Sequence, residues 1–378
     1  MNGRFRLSSD PRELGLDASR WRQACALAED LTARDDVPAL TLCVVRDDRL
    51  LEPFACGRLG LAPDSEPVTA DSRFVVASLT KPIVAMGIVR LAELGRLSLN
   101  DRVSEHLPEF DAAPKRPTTI RHLLTHTSGL PDMLPNNLAL RRGQAPLSKF
   151  VSGACGVTLD FPPGRGVQYQ SLGFALLGEI IARVSGRTCG EFLQSEFFRP
   201  LGMDDTSLEQ ACAPASGAAI AEIRVPEEMQ GGHDWNWNSA YWRGLGAPWG
   251  GLISTAKDLA VYCGMMLRGG EWQGVRVLSP ASVLAATSNQ LEAFHDISES
   301  DRRTRPWGLG WRGAWPAHAA TFGDLLSPAA YGHWGATGTL FWVDPTLRMA
   351  AVLLSTQPLD RDRSPLVRIS NALTASAL

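Results

Sequence analysis

Strand patterns at both ends of the chain, with helical patterns between them, constrain the fold more than any other feature. Near the start, apolar runs at residues 40–45 and 50–56 are separated by two aspartates, as in a β-hairpin. Near the end, runs at 339–343 and 349–354 surround an Asp-Pro turn in the same way. The simplest arrangement that uses both hairpins is one α/β body to which both ends of the chain contribute.

The middle of the chain carries helical spacing, broken by Pro- and Gly-rich loops. Residues 119–130 and 172–184 are the clearest helical segments, and each ends near a glycine. We therefore predict a mixed α/β (α+β) fold in which an antiparallel sheet is flanked by helices. The α/β body is predicted to occupy residues 1–85 and 250–378, and an all-helical insertion with a Trp-rich loop is predicted to occupy residues 86–249.

The composition excludes several classes of function. The 378 residues are 44% hydrophobic and 20% charged with a net charge of −3, so neither nucleic acid nor a membrane surface is expected as a partner. The first residues lack the apolar core of a signal peptide, and no run is long enough to span a membrane, which predicts a cytoplasmic location. The seven scattered cysteines form no C-x-x-C pair, and the seven histidines show no metal-ligand spacing. We expect reduced thiols, no metal and no cofactor.

A serine and a lysine three residues apart form the first candidate catalytic pair. Ser78 follows a short apolar run, and Lys81 lies one turn later on the same side of a predicted helix. A partly desolvated amine with a lowered pKa can take the proton of a serine hydroxyl, which makes the alcohol a nucleophile. The same S-x-x-K pattern recurs at Ser254 and Lys257, where a serine that caps a helix explains it well. Capping remains an explanation for Ser78 as well on the local sequence alone.

Two further segments offer the remaining parts of an acyl-transfer site. Tyr169 lies in a polar loop before a helix and is a candidate proton shuttle to the leaving group, although a packed tyrosine is the alternative. The glycine-rich stretch 332–338 either lets its backbone approach a ligand closely and supply an N–H, or is simply a glycine-rich strand entry. The Trp and Tyr residues between 235 and 249 form either loop packing or the wall of an apolar pocket.

Taken together, these motifs resemble those of the serine β-lactamase and penicillin-binding-protein superfamily. The class C β-lactamase-like branch and the family VIII carboxylesterases are most similar, whereas the chain has no G-x-S-x-G elbow of an α/β-hydrolase. The resemblance covers about residues 15–375 and implies the β-lactamase/transpeptidase-like fold. Further segments that look like family signatures are 122–130, 161–164, 173–178 and 250–255.

The resemblance implies a role for each part of the site. Ser78 would be the acyl-accepting nucleophile, Lys81 its activating base, and Tyr169 the group that protonates the leaving group. The backbone N–H groups of Ser78 and Ala336 would form the oxyanion hole. For Ser78, Lys81 and Tyr169, these roles agree with those that the residue chemistry favours.

Two departures from the family pattern narrow the substrate. The Tyr-x-Asn motif of the lactamases ends here in Ser171, whose side chain is too short to make the contact of the amide. The Lys-Thr-Gly motif of the lactamases is replaced by His333, Trp334 and Gly335. In the lactamases, the lysine and the threonine hold the carboxylate of the β-lactam. Here a mostly neutral imidazole and an indole take their places. Both changes favour a small, neutral, apolar acyl group. The predicted substrate-binding residues are Ser171, Trp249, His333, Trp334 and Gly335.

We therefore predict a serine hydrolase that cleaves short-chain carboxylic esters, with a small-molecule ester or acyl donor as its partner. Alternatives within enzymes are an acyltransferase or amide-forming relative, a weak β-lactamase and a D-amino peptidase, because the same acyl-enzyme can react with water, an alcohol or an amine. A catalytically silent binding protein with the same fold is the alternative outside enzymes. Assembly into a homo-oligomer is left open.

Overall fold

The computed structural model describes residues 7–209, 217–315, 322–358 and 364–378. Its strands are β1 (Leu7–Ser8), β2 (Ala39–Arg46), β3 (Arg49–Leu51), β4 (Phe54–Gly57), β5 (Phe74–Val75), β6 (Ile253–Ser254), β7 (Glu271–Trp272), β8 (Val275–Arg276), β9 (Arg312–Gly313), β10 (Tyr331–Gly335), β11 (Thr339–Asp344) and β12 (Met349–Ser355). Its helices are α1 (Ala18–Ala33), α2 (Thr80–Glu93), α3 (Val103–His106), α4 (Ile120–Leu124), α5 (Asn137–Arg142), α6 (Leu147–Gly156), α7 (Leu172–Ser185), α8 (Cys189–Leu193), α9 (Arg199–Leu201), α10 (Ala240–Gly244), α11 (Ala256–Leu267), α12 (Pro280–Thr287), α13 (Glu299–Thr304) and α14 (Ser364–Ala375).

Both ends of the chain meet in one sheet. Its strand order is β1-β3-β2-β12-β11-β10-β9, and β4 also pairs with β2. Neighbouring strands are antiparallel except for β1 and β3. The central pair is β2 and β12, in which Cys43 lies opposite Val352. The prediction of a mixed α/β fold with a largely antiparallel sheet is confirmed.

The sheet is covered by helices on both faces. Alternate residues of β12 point to opposite sides: Val352 belongs to a core cluster shared with α2 and α11, whereas Leu353 belongs to a cluster shared with α1 and α14. Trp21 of α1 and Ile369 of α14 lie in this second cluster. A strand that is buried on both faces carries a continuous apolar run, which is why β2 and β12 lack the alternation of a half-exposed strand.

The helices of the middle region pack around α7. This helix is buried along most of its length and contacts α2, α4, α6 and α8. Its extent confirms the helix predicted over residues 172–184. The predicted domain boundary between residues 85 and 86 falls inside α2, whose buried side chains belong to the same core cluster as one face of the sheet. The division into two domains stays a prediction.

The helix predicted over residues 119–130 is wrong in its length. The helix α4 ends at Leu124, because His126 adopts a left-handed backbone conformation with φ 59°. Gly129 is also left-handed, with φ 77°, and a Cβ at this position would fall 1.9 Å from the carbonyl oxygen of Phe161. The chain therefore leaves the helix early, and the turn places the His126 ring against Tyr169.

Candidate active site

Ser78 lies at a sharp entry into a helix. It is the middle residue of a 3₁₀ turn, Ala77–Leu79, between strand β5 and helix α2. The preceding residue, Ala77, has a left-handed backbone with φ 47°, which is unfavourable for a residue with a Cβ. The turn therefore holds strain next to the candidate nucleophile, and surrounding contacts must keep it in place.

Hydroxyl groups from the hairpin of β10 and β11 hold the Ser78 segment. Thr337 Oγ1 donates to the Val75 carbonyl at 2.7 Å, and Thr339 Oγ1 donates to the Val76 carbonyl at 2.8 Å. In addition, the Val76 N–H donates to the Leu252 carbonyl at 3.0 Å. Buried hydrogen bonds of this kind are costly to break, so the sheet fixes the position of the strained turn.

The Lys81 amine is buried beside the Ser78 hydroxyl. Its Nζ lies 2.9 Å from Ser78 Oγ and donates to the Trp249 carbonyl at 2.9 Å. Burial lowers the pKa of Lys81 from 10.5 to about 7, while the Asp132 carboxylate acts in the opposite direction. A substantial fraction of this amine is therefore neutral near pH 7 and able to accept the serine proton.

Tyr169 lies over the lysine, and His126 holds the loop that carries it. Lys81 Nζ is 4.7 Å from the centroid of the Tyr169 ring. On either side of Tyr169, the N–H of Gln168 donates to the His126 carbonyl at 2.9 Å and the N–H of Gln170 donates to His126 Nδ1 at 3.1 Å. The Tyr169 and His126 rings are in contact, with centroids 4.8 Å apart. The predicted shuttle thus lies next to the candidate base, and its role stays a prediction.

His126 is a residue of the site that sequence reasoning missed, because it was included only as part of a family signature. The ring is buried and its Nδ1 accepts a hydrogen bond, so the neutral imidazole carries its proton on Nε2. Burial, with the charge of Lys81 adding to the effect, holds the pKa of His126 well below its usual value of 6.5. The imidazole is therefore neutral at pH 7 and places no second cation beside the lysine.

The end of β10 lies directly against the Ser78 turn. A Cβ on Gly335 would fall 2.4 Å from the Val76 carbonyl oxygen and 3.2 Å from Ala77 Cβ, so this close approach requires glycine. The exposed residue Ala336 follows at once and is thereby placed next to the segment that carries Ser78. The two N–H groups predicted to form the oxyanion hole thus belong to adjacent segments, and the oxyanion hole itself stays a prediction.

His333 and Trp334 both lie beside Tyr169. His333 is buried, and its Nδ1 lies 2.9 Å from the Trp334 backbone nitrogen and 2.8 Å from the Trp334 carbonyl oxygen. Trp334 is half-buried, and its indole stacks on the Tyr169 ring with centroids 6.3 Å apart and planes at 22°. The centroids of His333 and Tyr169 are 6.0 Å apart. The structure therefore brings these two predicted residues to the site, while their contact with a substrate stays a prediction.

Asp132 is a second residue that sequence reasoning missed. Its carboxylate accepts a hydrogen bond from the Ser171 N–H at 2.8 Å, and its charge favours the protonated form of Lys81. Ser171, a predicted substrate-binding residue, is buried at the start of α7 beside this carboxylate. No spacing rule connects Asp132 with the other motifs, so the sequence carries no signal for it.

Trp249 takes part in the site through its backbone. Its carbonyl accepts the hydrogen bond from Lys81, whereas its indole is buried and packs against Phe150 and Trp242. The guanidinium of Arg141, on α5, lies 4.4 Å from the centroid of the Trp242 ring. These contacts favour loop packing over a pocket wall as the interpretation of the Trp-rich segment, and a contact of the Trp249 indole with substrate stays a prediction.

The second S-x-x-K match is built differently from the first. Ser254 lies in the short buried strand β6, and its Oγ is 2.7 Å from Thr206 Oγ1. Lys257 pairs with the Asp71 carboxylate at 3.7 Å instead of approaching the serine. The cap of α11 is Thr255 and not Ser254, so capping explains the start of this helix, but through the threonine.

A cavity of about 170 Å³ borders the site at Tyr169. It is lined mostly by aromatic and arginine side chains, and no residue of the Trp-rich segment 235–249 is among them. The other lining residues are Val167, Arg305, Trp307, Arg312 and Trp334.

Two other kinds of feature are absent from the described residues. Among them, no three His, Cys, Asp or Glu side chains are grouped so that they could hold a metal ion. No helix in the same ranges combines the length and apolarity needed to cross a membrane. The cysteines in these ranges are unpaired, and Cys212 lies outside them.

Known proteins resemble this chain along almost its whole length. The sequence profile of the family described as Beta-lactamase matches residues 26–374. A protein of Salmonella agona (strain SL483), named "Putative D-alanyl-D-alanine carboxypeptidase", is 27% identical over 382 residues, which cover 93% of this chain and 86% of that protein. A penicillin-binding protein homologue from Caulobacter crescentus superposes with a TM-score of 0.78 at 24% identity, covering 96% of this chain and 99% of the other. A family VIII carboxylesterase superposes with a TM-score of 0.74 at 20% identity, covering 93% and 96%. These two solved structures share the fold of this chain.

Proposed function

The chain belongs to the β-lactamase family, and from this premise we propose that it is a serine hydrolase that cleaves short-chain carboxylic esters through an acyl-enzyme on Ser78. The observation that carries the proposal is the distance of 2.9 Å between Ser78 Oγ and the buried Lys81 Nζ. A partly neutral amine beside a serine on a strained turn is suited to generating an oxygen nucleophile.

The proposed reaction begins with acylation of the serine. The Ser78 hydroxyl gives its proton to Lys81 Nζ while Oγ bonds to the ester carbonyl carbon, and the N–H groups of Ser78 and Ala336 stabilise the oxyanion. Tyr169, whose ring lies 4.7 Å from Nζ, passes a proton to the leaving oxygen as the C–O bond breaks. Water then attacks the acyl-enzyme through the same proton transfers in reverse and releases the carboxylic acid.

Two sequence differences support an ester rather than a peptide or a β-lactam as the substrate. His333 and Trp334 occupy the positions at which the lactamases hold a carboxylate with lysine and threonine. Ser171 occupies the position of the asparagine that contacts an acylamino group. The shared fold with a family VIII carboxylesterase agrees with this choice.

Removal of a terminal D-alanine from a peptide is the second candidate function. The name of the Salmonella agona protein favours it, because that relative is similar to this chain along almost its whole length. Acyl transfer to an alcohol or amine and slow β-lactam hydrolysis would use the same intermediate. A substrate panel separates these activities.

The protein is expected to hydrolyse p-nitrophenyl acetate and butyrate with a kcat/KM at least about 10²-fold above that for nitrocefin or a D-Ala-D-Ala peptide. Two absent polar contacts to the larger substrates, at about 1.5 kcal/mol each, account for a difference of this size. Initial rates on one preparation of the enzyme provide the measurement. A higher kcat/KM for nitrocefin contradicts the argument from His333 and Trp334, and turnover of the peptide alone establishes the second candidate. Binding without turnover of any of them would indicate a silent binding protein.

Ester hydrolysis is expected to increase as the pH rises towards 7 and to level off above about pH 8. Because burial lowers the pKa of Lys81 to about 7, the neutral amine that accepts the serine proton becomes more abundant over this range. The measurement is kcat/KM for p-nitrophenyl butyrate at constant ionic strength, corrected for spontaneous hydrolysis. An apparent pKa near the ordinary lysine value would contradict the lowered pKa of Lys81, and a profile without a step would show that Lys81 is not the base.

A further inference from the structure

One buried histidine supplies two hydrogen-bond acceptors to the loop that carries Tyr169. The backbone N–H of Gln168 donates to the His126 carbonyl at 2.9 Å, and the backbone N–H of Gln170 donates to His126 Nδ1 at 3.1 Å. Gln168 and Gln170 are the two neighbours of Tyr169 in the sequence. His126 therefore holds the chain on both sides of the proposed proton shuttle.

The position of residue 126 demands two properties of its side chain. Its carbonyl accepts from Gln168, so the N–H of Gln170 takes its acceptor from the side chain. Its backbone is left-handed, with φ 59°, a conformation that Asn, Asp and His adopt more readily than other residues with a Cβ. A neutral imidazole meets both requirements.

Packing alone does not explain a histidine at this position. The ring is fully buried, and its centroid lies 4.2 Å from that of Trp307 and 5.5 Å from that of Phe174. Within the described part of the chain, His126 Nε2 has no hydrogen-bond partner. An apolar side chain of similar size would fill the space without burying an unpaired N–H. The hydrogen bond at Nδ1 is thus the interaction that an apolar residue could not replace.

Tyr169 is in contact with both this histidine and the candidate base. The centroid of the Tyr169 ring lies 4.8 Å from that of His126 and 4.7 Å from Lys81 Nζ. Proton transfer requires its donor and acceptor within hydrogen-bond distance, and a misplacement of about 1 Å lowers the rate by about 10²-fold. The loop must therefore be held closely in place if Tyr169 is to transfer a proton.

Resting on the proposed function, we propose that His126 is a positioning residue, which holds the N–H groups of Gln168 and Gln170 so that Tyr169 protonates the leaving oxygen. The ester C–O bond breaks, the acyl carbon stays bonded to Ser78 Oγ, and the phenol gives its proton to the departing oxygen. The phenolate regains a proton from Lys81 Nζ, which took one from Ser78. His126 itself gains and loses no proton in these steps.

Two butyrate esters that differ in the basicity of the leaving group test this proposal. p-Nitrophenyl butyrate releases a weakly basic phenolate that departs without a proton, whereas 2,2,2-trifluoroethyl butyrate releases a more basic alkoxide that needs one. Both form the same butyryl-enzyme, so the ratio of their kcat/KM values, trifluoroethyl over p-nitrophenyl, reports on protonation of the leaving group. Absorbance follows p-nitrophenol, and titration follows butyric acid. A ratio of two substrates does not depend on the amount of folded enzyme.

Two replacements remove the side-chain acceptor in different ways. His126→Leu keeps most of the volume of the ring, and His126→Gly adopts the left-handed backbone without strain. In each protein the ratio is expected to fall at least about tenfold relative to the wild type, because proton transfer to the alkoxide is impaired. One folded variant of the two is sufficient.

A second tyrosine variant shows whether His126 acts through Tyr169. In the Tyr169→Phe protein the ratio is expected to be low already, because the hydroxyl that supplies the proton is gone. Adding His126→Leu to that protein is expected to lower the ratio by less than about twofold more, since both changes remove the same proton transfer. A further fall as large as in the single variant would overturn the proposal.

His126→Asn is the rescue variant, because asparagine tolerates the left-handed backbone and carries an acceptor oxygen on Cγ, as histidine carries Nδ1. Its ratio is expected to stay within about threefold of the wild type. His122→Leu is the matched control. Nδ1 of His122 accepts from the Thr119 N–H at 3.0 Å at the start of α4, away from the Tyr169 loop, so its ratio is also expected to change less than about threefold.

Several results would overturn the role of His126. An unchanged ratio in the variants without the acceptor is one, and an equal fall in His126→Asn or His122→Leu is another. Should neither His126→Leu nor His126→Gly fold, amide hydrogen exchange of the wild-type protein decides. Slow exchange of the Gln168 and Gln170 N–H groups supports the proposal, and exchange of either at the rate of an unfolded chain overturns it.

Failure of the proposed function has a different signature. If the wild-type protein cleaves neither ester, or if cleavage survives Ser78→Ala, the serine-hydrolase proposal is wrong and the inference about His126 falls with it. If both esters are cleaved through Ser78 and the ratio is independent of His126, the inference alone is wrong. Cleavage of the p-nitrophenyl ester alone would show that no group protonates the leaving oxygen, which overturns the inference and leaves the acyl-enzyme intact.

Discussion

Replacing Ser78 with alanine is expected to lower kcat/KM for p-nitrophenyl butyrate by about 10⁴-fold or more. Alanine keeps the Cβ and removes Oγ, the atom to which the acyl group is transferred, so no covalent intermediate can form. Steady-state rates measure the loss of turnover. Mass spectrometry of the protein after mixing with the ester measures the loss of the acyl adduct.

Ser254→Ala is the matched control for this change, because it removes the serine hydroxyl of the second S-x-x-K match. Ser254 Oγ is buried against Thr206 Oγ1, so we expect a loss of about 1 kcal/mol in the free energy of unfolding. Its kcat/KM should stay within about threefold of the wild type, as for substitutions that do not touch the reacting groups. Activity that survives Ser78→Ala, or that disappears equally in Ser254→Ala, would assign the nucleophile elsewhere.

Replacing Lys81 with methionine is expected to lower kcat/KM by about 10² to 10⁴-fold, the usual contribution of a general base. Methionine fills a similar volume but cannot accept the Ser78 proton. Two effects on the free energy of unfolding oppose each other. The lost hydrogen bond to the Trp249 carbonyl lowers it, whereas removal of a polar amine from a buried position raises it. We therefore expect only a small change in Tm. Activity and thermal unfolding measured on the same sample separate a chemical defect from a folding defect.

Lys257→Met serves as the control for the lysine. Lys257 is partly exposed and pairs only loosely with Asp71, so its loss should leave both activity and Tm close to wild-type values. The Lys81→Met protein should also lack the step near pH 7 in its residual activity, because Lys81 is the group that titrates there. A residual profile that keeps this step would point to another base.

Parts of the fold and site that depend on short-range geometry were predictable from the sequence. The strands β2 and β12 are buried on both faces, and their continuous apolar runs identify them. Ser78 and Lys81 lie within one turn of each other, so backbone geometry alone brings the two side chains together. Tyr169 and Ala336 are far from them in sequence. Residue chemistry made Tyr169 a candidate shuttle, whereas only the resemblance to a family identified Ala336.

Residues whose position depends on an unusual backbone or on packing were not predictable. The chain leaves helix α4 at His126, which adopts a left-handed backbone conformation that is uncommon for a residue with a Cβ. The sequence pattern does not reveal this turn and therefore predicts a longer helix. Tryptophan is a residue type that often lines pockets, but the sequence cannot show that Trp249 contacts Lys81 through its carbonyl and not through its indole.

The central position of β12 also makes the Ser78 turn depend on contacts of long sequence separation. The strand β2 is synthesised more than 300 residues before its neighbour β12, so this part of the sheet can form only after β12 has been made. The hydrogen bonds from Thr337 and Thr339 that hold the Ser78 turn span more than 260 residues. A partly synthesised chain therefore lacks the support that the strained turn needs. Under the proposed mechanism, Ser78 therefore becomes reactive only after the turn and its hydrogen-bonding partners have come together.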